Sequence, residues 1–287
     1  MSAASMDHPL AAEGHSPPAT AAMAEVVVER WCAGIAEDGL DWAAAELPVS
    51  LDYNGLSHAV MLASPADLED FALGFSLTEA IVTRPGDILD LSVSTVANGI
   101  RVEMRIPERR FHALKQRRRS LAGRTGCGLC GTESLAQVFR PMAPVRSRAS
   151  LEPQAIQRGF VDLAAAQDLQ RWTGATHAAG WIDAQGRMSL SREDVGRHNA
   201  LDKLIGALAA RGEDLGSGAV VITSRASSEM VQKAASVGIG ILAAISAPTL
   251  TAIELARDLD LTLLGFARQN RHVLYAGPQR IRRGEPS

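Results

Sequence analysis

Ala219-Val220-Val221-Ile222-Thr223, Ile239-Gly240-Ile241-Leu242-Ala243-Ala244-Ile245 and Leu261-Thr262-Leu263-Leu264 are three apolar runs within one stretch of the chain. Each is short and apolar at successive positions, the pattern of a strand buried on both faces. Met230, Val231, Ala234 and Val237 fall between the first two runs at helical spacing. Ser246-Ala247-Pro248-Thr249 opens a second helix carrying Ile253 and Ala256. The alternation predicts right-handed crossovers and an α/β unit: a mostly parallel sheet with helices on its faces. Ligands of such sheets sit off the carboxyl ends of the strands.

Upstream, the alternation begins with a strand over Ala178-Ala179-Gly180-Trp181-Ile182, a turn over Asp183-Ala184-Gln185-Gly186 and a return at Met188 to Leu190. An amphipathic helix carries Leu201, Leu204, Ile205 and Leu208. Residues 152–170 read as one or two helices with Ile156, Phe160, Leu163 and Leu169 facing the core. The N-terminal third differs. Residues 1–22 have no periodicity and read as a disordered tail. A strand follows over residues 24–31, with Cys32 after it. Asn54-Gly55 and Asn98-Gly99, each flanked by alternating segments, predict two hairpins. Between them Ser64, as N-cap, and Pro65 open a helix with Leu68, Phe71, Ala72 and Phe75 inward; Glu79, near its end, reads as solvated. The predicted division is a tail (1–22), a small N-terminal α+β domain (23–108), a basic linker with a cysteine loop (109–134) and an α/β domain (135–287).

The 287 residues suffice for a sizeable core. Hydrophobic content of 46% and charged content of 21% suit a soluble globular protein. A net charge of −3 argues against a nucleic-acid-binding protein. Three cysteines, an odd number, argue against a disulfide framework and for a reducing compartment. No stretch is long and apolar enough to span a membrane, and the first twenty residues lack a signal-peptide core. The expectation is a cytoplasmic protein without a membrane partner.

Gly126-Cys127-Gly128-Leu129-Cys130-Gly131 holds two of the three cysteines. Such a pair serves a zinc site, a redox couple or a sulfur donor or acceptor. A structural zinc site wants four ligands, and no second close pair of ligands is present. A zinc deaminase needs H-x-E, and no histidine here has Glu two residues on. Thiol chemistry remains, favoured by the positive charge of Arg109, Arg110, Lys115, Arg117, Arg118, Arg119 and Arg124 just upstream.

Three segments fall at predicted strand or helix ends. Ser224 and Arg225 begin a hydroxyl-rich entry into a helix, suited either to an anion or to ordinary capping. Residues 193–203 are unusually polar, as a hydrogen-bonded helix start or a pocket wall. Phe266-Ala267-Arg268-Gln269-Asn270-Arg271 read as a loop able to hold a nucleotide, with Phe266 stacking and Arg268 and Arg271 on phosphate; solvated arginines are the plainer reading.

These residues also carry a resemblance. The cysteine loop, the segment Glu193-Asp194-Val195-Gly196-Arg197-His198-Asn199-Ala200-Leu201-Asp202-Lys203 and the segment Thr223-Ser224-Arg225-Ala226-Ser227-Ser228-Glu229-Met230-Val231-Gln232-Lys233-Ala234 resemble the FdhD family, the formate dehydrogenase accessory sulfurtransferases. So do Ser246-Ala247-Pro248-Thr249 and Gly265-Phe266-Ala267-Arg268, in order along the chain. The resemblance implies a three-layer, cytidine-deaminase-like larger domain without the deaminase zinc. It implies a homodimer that takes persulfide sulfur from a cysteine desulfurase and passes it to the molybdenum cofactor of a formate dehydrogenase apoenzyme. Cys127 would be the persulfide carrier and Cys130 its helper or a spare. The bis-molybdopterin guanine dinucleotide would be a transient substrate held by residues 266–271 with help from Ser224 and Arg225, and no cofactor would be permanently bound. Ala267 stands where the family commonly has a cysteine. A non-catalytic cofactor chaperone and a small zinc-binding interaction protein are the alternative readings.

Overall fold

The computed structural model describes residues 20–121, 140–268 and 270–282. Residues 1–19 of the expected tail, both cysteines of the loop and Gln269 lie outside the described residues. The tail's last residue departs from the expected disorder: Ala22 is fully buried, and its carbonyl accepts the Ala45 N–H at 2.7 Å. The three apolar runs form the centre of a six-stranded sheet. Strands β9 (Ala219–Ile222), β10 (Ile241–Ala244) and β11 (Thr262–Arg268) lie side by side and parallel, and every residue of β9 and β10 is buried. The outer strands are antiparallel: β7 (His177–Ile182) on β9, β8 (Met188–Asp194) on β7, and β12 (Arg271–Ala276) on β11. The expected mostly parallel sheet is therefore mixed. β7 and β8, like β11 and β12, are joined by tight turns, and a hairpin connection reverses the chain where a parallel pair needs a crossover.

Successive residues of β9 feed opposite faces. Val221 joins Ile156, Phe160, Leu163 and Ala267 in a cluster under helix α3 (Pro153–Ala165). Val220 and Ile222 join Leu201, Leu204, Met230 and Ala252 on the other face, under α5 (Arg197–Ala210), α6 (Ser228–Ser236) and α7 (Leu250–Asp258). Helix α4 (Asp168–Thr173) precedes β7.

The two expected hairpins, β3 (Leu47–Tyr53) with β4 (Leu56–Ala63) and β5 (Asp90–Val96) with β6 (Gly99–Arg105), join through a parallel β3–β6 pair into a four-stranded sheet. Helix α1 (Leu68–Thr78) starts later than expected, after Asp67 in the left-handed region at φ 53°. Ser64 is fully buried and does not cap it. α1 crosses α5 at glycines: a Cβ on Gly74 would fall 1.7 Å from the Asp202 carbonyl oxygen, and one on Gly206 would fall 1.9 Å from that of Asp70. One apolar cluster runs from Val49 and Phe71 through this crossing to Leu201 and Val220.

Two elements depart from expectation. Strand β1 (Met23–Cys32) pairs along its whole length with β2 (Ile35–Ala44) as a separate two-stranded ribbon, turned by Ala33 and Gly34 at φ 50° and 86°. The stretch read as a basic linker is helical from Glu108 to Leu121 (α2). Leu114 is buried and Phe111 packs beside the core, so α2 is packed on the core rather than bridging freely. Among the described residues no helix is long and apolar enough to cross a membrane.

Candidate functional site

The carboxyl edge of β9, β10 and β11 is where the chain interlocks its most polar loops. Thr223, just past β9, donates its N–H to the Ala178 carbonyl at 3.0 Å and accepts from the Ala178 N–H at 2.8 Å. Ala226 bridges to Pro248, and the Thr249 N–H donates to the Ala226 carbonyl at 3.0 Å. The Phe266 N–H donates to the Ser246 carbonyl at 3.2 Å. A Cβ on Gly265 would meet Pro248 Cδ at 2.8 Å, so glycine is what lets β11 approach the loop after β10. Ser224, Arg225 and Phe266 are thereby gathered on one edge.

Their individual settings differ. Ser224 is buried, and its hydroxyl donates to the Arg225 carbonyl at 3.0 Å, while the Arg225 side chain is exposed. Residues 266–268 are not loop but the end of β11, and Arg271 opens β12. Phe266 sits at φ 52°, a kink within a register shift, and is half-buried. Ala267 is fully buried in the α3-side cluster, so only its backbone faces the edge. Asn270 turns the hairpin at φ 58°. Arg268 and Arg271 pair directly across it, both exposed. Two like charges in register repel, and an anion between them relieves that.

Helix capping separates the two neighbouring entries. Thr249 caps α7 by accepting the Ala252 N–H at 3.2 Å. Ser227 stands at the N-cap of α6 without making the bond, and among the described residues its buried hydroxyl oxygen has no partner.

The antiparallel β7 and β8 bring further groups that sequence reasoning did not assign to this edge. His177 begins β7 in register with Asp194, the end of β8, so the entry to α5 arrives at the same edge. Burial, and then the charges of Arg197 and His198, hold the His177 imidazole below the ordinary histidine range. His198 Nε2 lies 2.6 Å from the Glu229 carboxylate at the start of α6. That contact holds the carboxyl of Glu229 below its usual value despite burial. The signal was the direction of β7, which no residue pattern announces.

The polar segment 193–203 is a hydrogen-bonded helix start. Glu193 accepts the Leu169 and Gln170 N–H groups at 2.8 and 2.9 Å and the Thr176 hydroxyl at 2.9 Å, capping α4. Buried Asp194 accepts the Ser64 N–H at 3.0 Å and lies 2.7 Å from Lys203, whose ammonium also donates to the Ser64 carbonyl at 3.0 Å. A second buried pair lies one residue away. Lys233 on α6 donates to Asp202 at 2.8 Å and to Glu79 at 3.2 Å, and Thr78 donates to Asp202 at 2.7 Å. Glu79 is thus an ion-pair partner, not a solvated residue. Burial pulls the Lys233 ammonium down, but the carboxylates of Asp202 and Glu79 outweigh it and leave Lys233 raised. The chain returns from residue 139 onto this cluster: the Arg140 N–H donates to the Gln232 side chain at 3.0 Å, and its guanidinium donates to the Thr78 carbonyl. Among the described residues no group of three or more His, Cys, Asp or Glu side chains is placed to hold a metal.

A family model described as the FdhD/NarQ family matches residues 44–282. The chain is 59% identical over 274 residues to the sulfur carrier protein FdhD of Cupriavidus necator, covering 96% of this chain and 94% of that protein. It is 52% identical over 270 residues to the sulfur carrier protein FdhD of Bordetella petrii, covering 93% and 97%. A solved structure described as a formate dehydrogenase accessory protein from Desulfotalea psychrophila shares the fold, with a TM-score of 0.70 at 22% identity over 90% of this chain and 99% of that one.

Proposed function

The chain belongs to the FdhD/NarQ family, and from that membership we propose that it is a sulfur carrier for formate dehydrogenase, working in the cytoplasm as a homodimer. The Cys127 thiolate attacks the terminal sulfur of a cysteine desulfurase persulfide. A bond forms between Cys127 and that sulfur, and the desulfurase thiolate leaves. Delivery follows when the Cys130 thiolate attacks the inner sulfur of the Cys127 persulfide. Sulfide leaves with two electrons, a Cys127–Cys130 disulfide remains, and an external thiol reduces it. The sulfide becomes a sulfido ligand of the molybdenum in bis-molybdopterin guanine dinucleotide, displacing an oxo group that departs as water.

The substrate's pyrophosphates and guanines dock on the strand edge. Arg268 and Arg271 take phosphate, Phe266 offers a ring to a base, and Arg225 with the backbone at Ser224 supplies a further anion contact. Asn270 contributes at the turn, and Gln269 belongs to the same docking segment. The observation that carries this reading is the opposed, exposed Arg268–Arg271 pair, on the same sheet edge as exposed Arg225, in a chain whose family-matched span also holds the Gly-flanked cysteine pair.

The test is intact mass after incubation with a cysteine desulfurase and cysteine. A gain of one sulfur, reversed by reductant, retained in Cys130→Ala and lost in Cys127→Ala, is the expected result. No gain in the parent protein rejects sulfur carriage in favour of a cofactor chaperone. Zinc in the purified protein at one ion per cysteine pair rejects it in favour of a zinc-binding interaction protein.

A further inference from the structure

The β7 side of the carboxyl edge holds groups that the docking of a nucleotide does not use. His198, in the first turn of α5, and Glu229, in the first turn of α6, meet where the two helices begin, with Nε2 2.6 Å from the carboxylate. Neither is sealed: the His198 side chain is 27% exposed and that of Glu229 42%. Nε2 is turned to Glu229, and among the described residues Nδ1 has no partner, so Nδ1 is the nitrogen open to proton exchange. A carboxylate that orients one side of an imidazole and pairs its charge is the setting of an acid–base histidine. The adjoining residues hold unspent donors. Among the described residues Arg197 forms no ion pair, its buried Nε has no partner, and neither has the buried Ser227 hydroxyl. Such surroundings suit an anionic, oxygen-rich end of a substrate.

Strand order relates this pair to the docking residues. α6 leaves from β9 and α5 from β8, two and four strands along the sheet from β11. At ~4.8 Å per strand the pair stands roughly 10–19 Å along the edge from the end of β11. The substrate is long in one direction: guanine, then ribose and pyrophosphate, then the pterin and its metal. With the base on Phe266 and phosphate on Arg268, Arg271 and Arg225, the metal-bearing end falls toward the entries of α5 and α6. The chain returns from its cysteine segment to the same place, since the Arg140 N–H donates to Gln232, about one helical turn beyond Glu229.

We propose that His198 is the acid that protonates the oxygen leaving the molybdenum, with Glu229 as its positioning residue. The proposal rests on the sulfur-carrier reading above. Sulfide arrives as HS⁻ and carries one proton, whereas an oxo group leaves as water with two. The sulfur–metal bond forms as the oxygen–metal bond breaks. HS⁻ gives its proton to the oxygen, and the imidazolium gives the second. Sulfide and oxide carry the same charge, so the metal is neither oxidised nor reduced. The neutral imidazole is recharged from solvent, to which it is open. Oxide is a poor leaving group, and a positioned acid is worth about a hundredfold or more in such a step.

Full-length protein loaded with sulfur by a cysteine desulfurase is mixed with the oxo form of bis-molybdopterin guanine dinucleotide. Sulfide transferred to molybdenum is read as thiocyanate released by cyanide from the recovered cofactor. His198→Gln keeps a polar side chain toward Glu229 but has no acidic proton. It should still load sulfur, by intact mass, and transfer it about a hundredfold more slowly than the parent. His198→Ala should behave alike, and added imidazole should restore its rate by about tenfold or more. Glu229→Gln should slow transfer by about tenfold, the worth of one charge-assisted contact, and a parent-like rate there takes away its positioning role. A His198→Gln rate within about threefold of the parent's overturns the assignment. So does a loss in His198→Ala that imidazole leaves untouched, because a free ring does not replace a histidine that only ties two helix entries together. A parent that loads no sulfur removes the carrier reading and this step with it. A parent that loads and transfers, with both His198 variants matching it, removes only the role of His198.

Discussion

Replacing Lys233 with Met tests what the buried charges between α1, α5 and α6 do. In the parent, the ammonium donates to both oxygens of Asp202, at 2.8 and 3.1 Å, to the Thr78 hydroxyl at 3.1 Å and to Glu79 at 3.2 Å. Asp202 is 1% exposed. Methionine fills much of the same volume but leaves the Asp202 carboxylate buried with the Thr78 hydroxyl as its remaining donor. Stranding one partner of a buried pair costs about 3–5 kcal/mol, and the surviving hydrogen bond places this case near 3 kcal/mol. A pH dependence follows from the same geometry. Burial pushes the Asp202 carboxyl up against the opposing pull of Lys233, and the substitution removes that pull. The folded variant then holds a proton on Asp202 that the unfolded chain, titrating near ~3.9, releases. Its deficit is therefore greatest above the raised folded pKa and shrinks as pH falls through it. Lys233, raised in the parent, contributes fully at any pH below ~10.4, and Asp202, already raised there by burial, rises further once the Lys233 pull is gone, so the difference between variant and parent follows the trend. Urea unfolding of parent and variant at about pH 7.5 and about pH 5 should show the deficit narrowing by ~1 kcal/mol or more on acidification. Lys233→Met with Asp202→Asn should regain most of the loss, because no charge is left buried. A single variant that loses under ~1 kcal/mol, or a double variant no better than the single, refutes the reasoning.

Gly206→Ala puts a methyl 1.9 Å from the Asp70 carbonyl oxygen, so α1 and α5 must part. Thermal melting should show a net loss of ~2 kcal/mol, although alanine is the better helix former by ~1 kcal/mol. A melting temperature at or above the parent's contradicts the crossing. Thr249→Ala removes the cap of α7 and should cost ~1 kcal/mol in denaturant unfolding, with no such loss for Ser227→Ala, whose hydroxyl caps nothing. Arg268→Glu should weaken guanine nucleotide binding, measured by calorimetry, by about tenfold or more, the worth of one charge-assisted hydrogen bond. Unchanged affinity takes the nucleotide away from this hairpin.

The elements legible in the sequence are those whose packing leaves a pattern. β9 and β10 are covered on both faces and so are apolar throughout. Asn54-Gly55 sits in a turn where positive φ is needed, at 48° and 80°. Illegible elements lack a covered face or hide it. β2 carries Glu37, Asp38 and Asp41 and packs little of its length on this chain, so no alternation marks it. α2 has one fully buried residue, Leu114, among its described positions, and its basic run outweighs that single inward contact. Ser64 followed by Pro65 has the composition of a helix start, yet tertiary demand takes it: its hydroxyl accepts the Val195 N–H at 3.1 Å and its carbonyl accepts from Lys203. A local rule yields there to two partners more than a hundred residues away.

The candidate site was legible as segments but not as a constellation, and strand direction is the reason. Residues 223–229 and 246–249 follow parallel strands and 266–268 end one, so each reaches the carboxyl edge by the rule for α/β sheets. His177 would lie at the opposite edge if β7 ran parallel to β9. Because it runs antiparallel, Ala178, next to His177, meets Thr223, and the hairpin to β8 carries Asp194, Arg197 and His198 back to the same place. The departure from a parallel sheet is thus what adds two imidazoles and an arginine to the three exposed arginines of the edge. The buried Lys203–Asp194 and Lys233–Asp202 pairs lie just beneath, fixing α5 and α6 to α1 and to the loop carrying Ser64. Buried ion pairs contribute little net stability against well-packed apolar replacements, so their consequence here is positional. They hold the entries of α5 and α6 against each other, and through Arg140 they pin the point where the chain returns from its cysteine segment to that same cluster.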